Sequence, residues 1–193
     1  MKNIFDLLFV RDKHVCPWWC CFTFDNPLRA LLQDPFSILS PYMKPGDTAI
    51  DIGPGMGYYT IPLCKIAGEK GRVIAVDIQQ KMLDGIKKRA IRAGAPDNLT
   101  LHISEPEDFK LVEDKADFVL MFWMLHEVPN QEQFLRSAKK LMKPGARLLI
   151  AEPYLHVTKK KFRNSISIAE KLGFAVAEQP KIGFSHAVVL KNI

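Results

Sequence analysis

Asp47 to Thr60 reads DTAIDIGPGMGYYT, an apolar run closed by an acid and followed by three glycines at alternate positions. Ala49, Ile50 and Ile52 suit a buried strand. Gly53, Gly55 and Gly57 permit a tight turn at positive φ and let a ligand come close to the backbone. Tyr58 to Ala67 then has the length and apolar spacing of a helix, with Pro62 confined to its opening turns. A ligand bound here would lie over the N-terminus of that helix.

The spacing sorts the possible ligands. A dinucleotide fingerprint needs G-x-G-x-x-G, and counting from Gly53 the sixth position is Tyr58. A phosphate-cradling loop needs a Gly-Lys-Ser/Thr that does not follow. Taken alone, the stretch also suits a glycine-rich βα turn that holds nothing. What remains, Asp51-x-Gly53-x-Gly55-x-Gly57 after a strand, resembles the first motif of the class I S-adenosylmethionine-dependent methyltransferases.

Later segments extend the resemblance in order. Arg72 to Ile78, RVIAVDI, is a β-branched run that reaches Asp77, and a carboxylate at a strand's C-terminal end can accept hydrogen bonds from both ribose hydroxyls. The resemblance makes Asp77 the ribose acid and places Ile78 beside it in the cofactor site. Leu99 to Ser104 reads as a third strand, and the family would place Glu105 near the adenine amino group, with Asp108 as a competing acid. Asp117 to Met121 is a fourth apolar strand, and Phe122 to Val128, FWMLHEV, resembles the family's loop facing cofactor and acceptor, with Phe122 on the cofactor side. Leu141 to Pro153, LMKPGARLLIAEP, offers a Lys-Pro-Gly turn into a fifth strand ending in Glu152. The likeness runs from Pro41 to Lys191 and is similar to the ubiquinone and menaquinone biosynthesis methyltransferases.

Between these strands lie helical patterns at Gln79 to Ala93, Gln131 to Met142 and Lys159 to Leu172. Phe174 to Glu178 and Ala187 to Lys191 follow as strands without a helix between them, the pattern of a hairpin. The expected fold is α/β and Rossmann-like: a seven-stranded, mostly parallel sheet with an antiparallel last strand and helices on both faces. Residues 41–193 would form the S-adenosylmethionine-binding domain, and residues 1–40 an N-terminal cap or substrate lid. That first segment holds His14, Cys16, Trp18, Trp19, Cys20 and Cys21, whose spacing matches no standard zinc pattern. No metal is expected, and reduced cysteines and a thiophilic metalloid acceptor stand as alternatives for the cluster.

Composition bounds the rest. Of 193 residues 48% are apolar and 25% charged, which excludes a disordered chain, and no apolar run reaches the roughly 20 residues needed to span a bilayer. The opening MKNIFDLLFVRDK is interrupted by Asp6 and lacks a small-residue cleavage site, so a cytoplasmic protein is expected. The net charge of +6 gathers at Lys87 to Arg92 and Lys159 to Arg163, more in the manner of solvated helix faces than of a nucleic-acid surface.

The resemblance implies S-adenosylmethionine as cofactor, S-adenosylhomocysteine as product and a small-molecule methyl acceptor. It makes Asp51 the organiser of the cofactor's methionine amino group. Methyl transfer of this kind is an in-line displacement in which positioning and exclusion of water supply much of the acceleration. His126 is the candidate base, because its unperturbed pKa lies near neutrality, and the alternative makes it a pocket-shaping residue. Glu152 could orient an acceptor amine or hydroxyl, or end its strand as a solvated acid. Tyr58, Tyr59 and Trp123 are candidate pocket walls. A noncatalytic binding module, an RNA methyltransferase using the basic helices, and a dehydrogenase using Asp77 are the competing functions.

Overall fold

A computed structural model describes Arg29 and residues 32–105, 109–111 and 115–193. In chain order the elements are α1 (Pro35–Leu39), β1 (Thr48–Ile52), α2 (Thr60–Ala67), β2 (Arg72–Asp77), α3 (Gln80–Ala93), β3 (Leu99–Ile103), β4 (Ala116–Phe122), a 3-10 turn (Leu125–Glu127), α4 (Gln131–Lys140), β5 (Met142–Pro153), α5 (Lys159–Lys171), β6 (Phe174–Glu178) and β7 (Ser185–Asn192). All seven strands join one sheet in the order β3-β2-β1-β4-β5-β7-β6. Strands β3, β2, β1, β4 and β5 pair in parallel, whereas β7 is antiparallel to both β5 and β6. The expected class and the expected hairpin are both present.

Alternation along the strands divides the core into two layers. Ile50, Ile74, Val119, Leu148 and Val188 face α4 and α5, where Phe134, Leu135, Ala138, Phe162 and Ala169 meet them. Ala49, Val73, Phe118, Leu149 and Val189 face the opposite way, against Leu39 of α1 and Leu63, Cys64 and Ala67 of α2. On the same side α3 lays Leu83 and Ile86 against Ala75 of β2. The basic runs fall on exposed faces: Lys87, Lys88 and Arg92 on α3, and Lys159, Lys160, Lys161 and Arg163 at the start of α5.

Two of the boundaries that differ from the sequence reading have a plain physical cause. Helix α2 starts at Thr60 rather than Tyr58, because Gly55 and Gly57 at φ 55° and 81° keep the chain in its turn, and Pro62 then falls in the first helical turn where its missing N–H costs nothing. Helix α4 stops at Lys140 rather than Met142. Met142 instead pairs with Ala116, and Phe118 pairs with Arg147, so residues 143–146 bulge out of β5 with Gly145 at φ 80°. The Lys-Pro-Gly turn is thus a bulge within a strand. Sheet pairing overrides a helical pattern that Leu141 and Met142 continue on sequence alone.

Residues 1–28, 30, 31, 106–108 and 112–114 lie outside the described residues, and with them most of the expected N-terminal cap, the cysteine cluster and Asp108. Among the described residues no helix is long and apolar enough to cross a membrane.

Candidate active site

The chain runs from β1 outward to β2 and β3, then returns past β1 to β4 and β5, so the order reverses between β1 and β4. In open α/β sheets ligands bind in the crevice at that reversal, beyond the C-terminal ends of the strands. The glycine turn lies there. Gly53, at φ 66°, donates its N–H to the Val76 carbonyl at 3.0 Å, and a Cβ at this position would meet Met124 Cβ and Cγ at 2.9 Å. Gly57, at φ 81°, lets the turn close on Ile86 of α3.

Two buried acids sit under this turn. Asp51, 2% exposed, accepts a hydrogen bond from the Thr60 hydroxyl at 2.6 Å. Burial pushes its carboxyl up to about 7; Thr60 opposes the rise and the charge of Asp77 adds to it. Asp77, 8% exposed at the end of β2, accepts the Gln79 N–H at 2.8 Å and is pushed up by burial to about 6, with the Glu127 charge adding to the rise. Neither acid forms an ion pair among the described residues. When ionised, this buried pair of carboxylates calls for a cation.

The exit of β4 supplies the chemistry-bearing groups. Parallel pairing sets Phe122 beside Ala151, so the residues following β4 come beside Glu152. One Glu152 oxygen accepts the Leu125 N–H at 2.9 Å and the other meets His126 Nδ1 at 2.5 Å. Glu152 is 2% exposed, so the solvated-acid alternative does not hold. Gln131 secures the 3-10 turn by donating to the Leu125 carbonyl at 3.0 Å, and the Ser165 hydroxyl donates to Gln131 at 2.7 Å. Burial works against a proton on His126, but the Glu152 hydrogen bond and charge, joined by Glu127, outweigh it, and the imidazole titrates above its ordinary value. With Nδ1–H donating to Glu152, the neutral ring carries its lone pair on Nε2.

Aromatic rings wall the crevice. Tyr59, 4% exposed, lies 4.2 Å from the Phe122 ring, and Tyr58 meets Tyr59 edge-on at 5.0 Å. Trp123 adopts φ 58°, the left-handed region that bulky residues rarely enter, and its Nε1–H donates to the Ser185 hydroxyl at 2.8 Å. Gln33, 1% exposed, donates to the Gly183 carbonyl at 2.6 Å, while its own carbonyl accepts from the Tyr58 hydroxyl at 3.0 Å. Arg29, through Nε, donates to Gln33 Oε1 at 2.8 Å and holds its guanidinium among the rings.

A methyltransferase-domain family model matches residues 43–181, most of the chain. The chain belongs to this family. It is 32% identical over 117 residues to a ubiquinone/menaquinone biosynthesis C-methyltransferase UbiE of Vibrio vulnificus, covering 61% of this chain and 45% of the relative. The Vibrio cholerae protein of the same name is 30% identical over 146 residues, 74% of this chain and 56% of the relative. The chain thus spans about half the length of these curated relatives. A solved S-adenosylmethionine-dependent methyltransferase of Aquifex aeolicus superposes with a TM-score of 0.84 at 27% identity, covering 93% of this chain and 100% of the other. The class I Rossmann-like assignment and its cofactor, S-adenosylmethionine, stand on this family membership.

In this methyltransferase-domain chain Asp51, Gly53, Gly55, Gly57, Asp77 and Phe122 gather around the reversal point. Ile78 follows Asp77, 37% exposed. Glu105 stands at the outer end of β3, more exposed than the others, and pairs with Lys110. His126 and Glu152 form one unit, in which Glu152 has both oxygens engaged by the protein. Among the described residues no cluster of His, Cys, Asp or Glu is arranged to hold a metal ion. Sequence reasoning missed Arg29, Gln33 and Ser185. Their partners lie at Tyr58, Trp123 and Gly183, and no local pattern signals contacts between segments so far apart.

Proposed function

We propose that the crevice between β1 and β4 transfers a methyl group from S-adenosylmethionine to a small-molecule acceptor. The observation that carries this reading is the pair of buried acids, Asp51 and Asp77, under the glycine turn with no ion-pair partner among the described residues. Such a pair suits a ligand with an ammonium group and ribose hydroxyls. In this reading Asp51 holds the methionine amino group, Asp77 the ribose hydroxyls, the glycine turn approaches the methionine backbone, and Ile78 and Phe122 supply apolar walls. Glu105 is placed on the adenine side. The bound cofactor contributes an electrophilic methyl carbon and a leaving thioether.

The chain's own part is alignment and proton removal. The aromatic walls exclude water from the displacement, where positioning matters most. His126 Nε2 takes the proton of an acceptor hydroxyl, amine or acidic carbon, and Glu152 holds the ring in the required tautomer and stabilises the imidazolium formed. Glu152 is thereby a positioning residue and His126 the catalytic one. The relatives' printed name, C-methyltransferase, brings a carbon acid into consideration among these acceptors.

Calorimetric titration with S-adenosylhomocysteine, with NAD as comparison and Asp77→Ala as control, tests the cofactor half. Saturable binding of the first compound alone, weakened by the substitution, is the expected result. NAD binding, or no binding by either, would refute the reading. With an acceptor in hand, turnover by His126→Ala equal to the parent would remove the base.

A further inference from the structure

Four aromatic rings surround one point on the crevice wall. Arg29 Cζ lies 4.4 Å from the Tyr58 ring centroid, 4.7 Å from Trp123, 5.4 Å from Tyr59 and 5.5 Å from Phe122. Every one of these distances is within the roughly 6 Å over which a ring face attracts a cation. The rings arise from two places: Tyr58 and Tyr59 close the turn after β1, and Phe122 and Trp123 end β4. Those strands flank the reversal point of the sheet, so the cage stands where an α/β fold takes its ligand.

The rings also pack on one another. Tyr59 packs on Phe122, Phe122 on Trp123 at 5.6 Å, and Trp123 is fixed by Ser185 and by its left-handed backbone. The Tyr59 hydroxyl is buried in the cage wall, and Arg29 is the cationic group beside it. Arg29 enters from a different segment, ahead of α1, and its Nε–H···Oε1 bond runs to Gln33 in that same segment. Backbone strain at Trp123 and four converging ring faces make a concentrated cation receptor, more than is needed to seat one half-buried side chain.

Resting on the methyl-transfer reading, we propose that Tyr58, Tyr59, Phe122 and Trp123 form the acceptor's cation subsite, which takes a guanidinium or alkylammonium group, and that Arg29 is an internal occupant displaced when the acceptor binds. The atom that attacks the methyl carbon must keep a lone pair. The caged cation is therefore a handle, separate from the nucleophile whose proton passes to His126. Neutral acceptors gain far less from four ring faces, and anionic ones are repelled by them. Asp51, Asp77 and Glu127 lower the cost of bringing a second positive charge near the cofactor's own.

Calorimetric titration of the purified chain with methylguanidinium chloride, and with its neutral counterpart N-methylurea, tests the cage directly. Each is run on the parent, on Arg29→Ala and on Arg29→Gln, which keeps part of the stem should the alanine variant fold poorly, with and without saturating S-adenosylhomocysteine. The expected result is methylguanidinium binding roughly tenfold tighter once the arginine is removed, no comparable binding of N-methylurea, and no competition from S-adenosylhomocysteine. Equal affinity for the charged and neutral probes in every variant would overturn the proposal. Competition by S-adenosylhomocysteine would overturn it too, by assigning the cage to the cofactor. Failure of S-adenosylhomocysteine to bind, with the cation titration intact, would strike the methyl-transfer reading and leave the cage as a cation site of another kind.

Discussion

Acidification from pH 8 to pH 6 should weaken S-adenosylhomocysteine binding about 20-fold, because the ligand's ammonium and ribose groups call for ionised carboxylates. Burial is the chief cause that pushes Asp51 up to about 7 and Asp77 up to about 6. If only the ionised acids bind, the fall in ionised Asp51 contributes roughly tenfold over this interval and that of Asp77 roughly twofold. The product corresponds to about 1.8 kcal/mol. The same arithmetic gives about 0.6 proton released on binding at pH 7, since near half of Asp51 and a tenth of Asp77 begin protonated. Titrations in phosphate and in Tris separate this proton from the heat of binding, because the two buffers absorb it with different enthalpies. Asp51→Asn should bind more weakly and retain only the shallow, roughly twofold dependence due to Asp77. The stability of the unliganded chain runs the other way. A carboxyl with a raised folded pKa favours folding least when ionised, so Asp51 costs stability as pH climbs from its unfolded value through about 7, and the stabilisation by ligand grows over the same range. Dissociation constants within twofold of each other at pH 6 and pH 8, together with a buffer-independent enthalpy, would refute the reasoning.

Glu152→Gln should lower the pKa of His126, seen in the ring-proton NMR titration, and move the acid limb of turnover to lower pH. The raised His126 pKa makes its contribution to folding greatest below the unfolded value and removes it as pH rises through the folded one, so this variant should lose more stability at pH 5 than at pH 8. Gly53→Ala should lower the melting temperature by roughly 2–8 °C, from a left-handed penalty of about 1–2 kcal/mol to which the 2.9 Å approach to Met124 adds, and should abolish measurable S-adenosylhomocysteine binding; a variant with parental melting and affinity would show that the turn needs neither glycine nor that contact. Ser185→Ala leaves the Trp123 indole N–H without its acceptor and should cost about 1 kcal/mol in a urea titration, with a shift in tryptophan emission as the check.

The parts of the site carried by local sequence were legible. Asp51 and the glycines belong to one strand-turn-helix, and Asp77 ends a strand whose β-branched pattern is plain. The His126–Glu152 unit was half legible. Both residues stood out, but their pairing follows from β4 and β5 lying side by side with Phe122 opposite Ala151, a fact of register that neither segment contains. Met142 shows the reverse case: its helical spacing is genuine, yet a strand partner at Ala116 claims it. The aromatic residues were read singly, as walls. That they converge on Arg29 depends on a segment lying 29 positions before Tyr58 and 94 before Trp123, a separation across which periodicity carries no information.

The place of β7 bears on how the protein reaches its working form. β6 precedes β7 in the chain, yet it touches the sheet only through β7, which is inserted between β5 and β6. During synthesis β6 therefore has no strand to dock on until residues 185–192 have emerged. Ser185, the first residue of that strand, is also the acceptor that fixes Trp123. A nascent chain stopped short of it can already possess the glycine turn and both buried acids, but not the anchored indole. On the proposed reading, cofactor-binding competence and a finished acceptor wall would then arise at separate moments of translation, with the acceptor wall completed second.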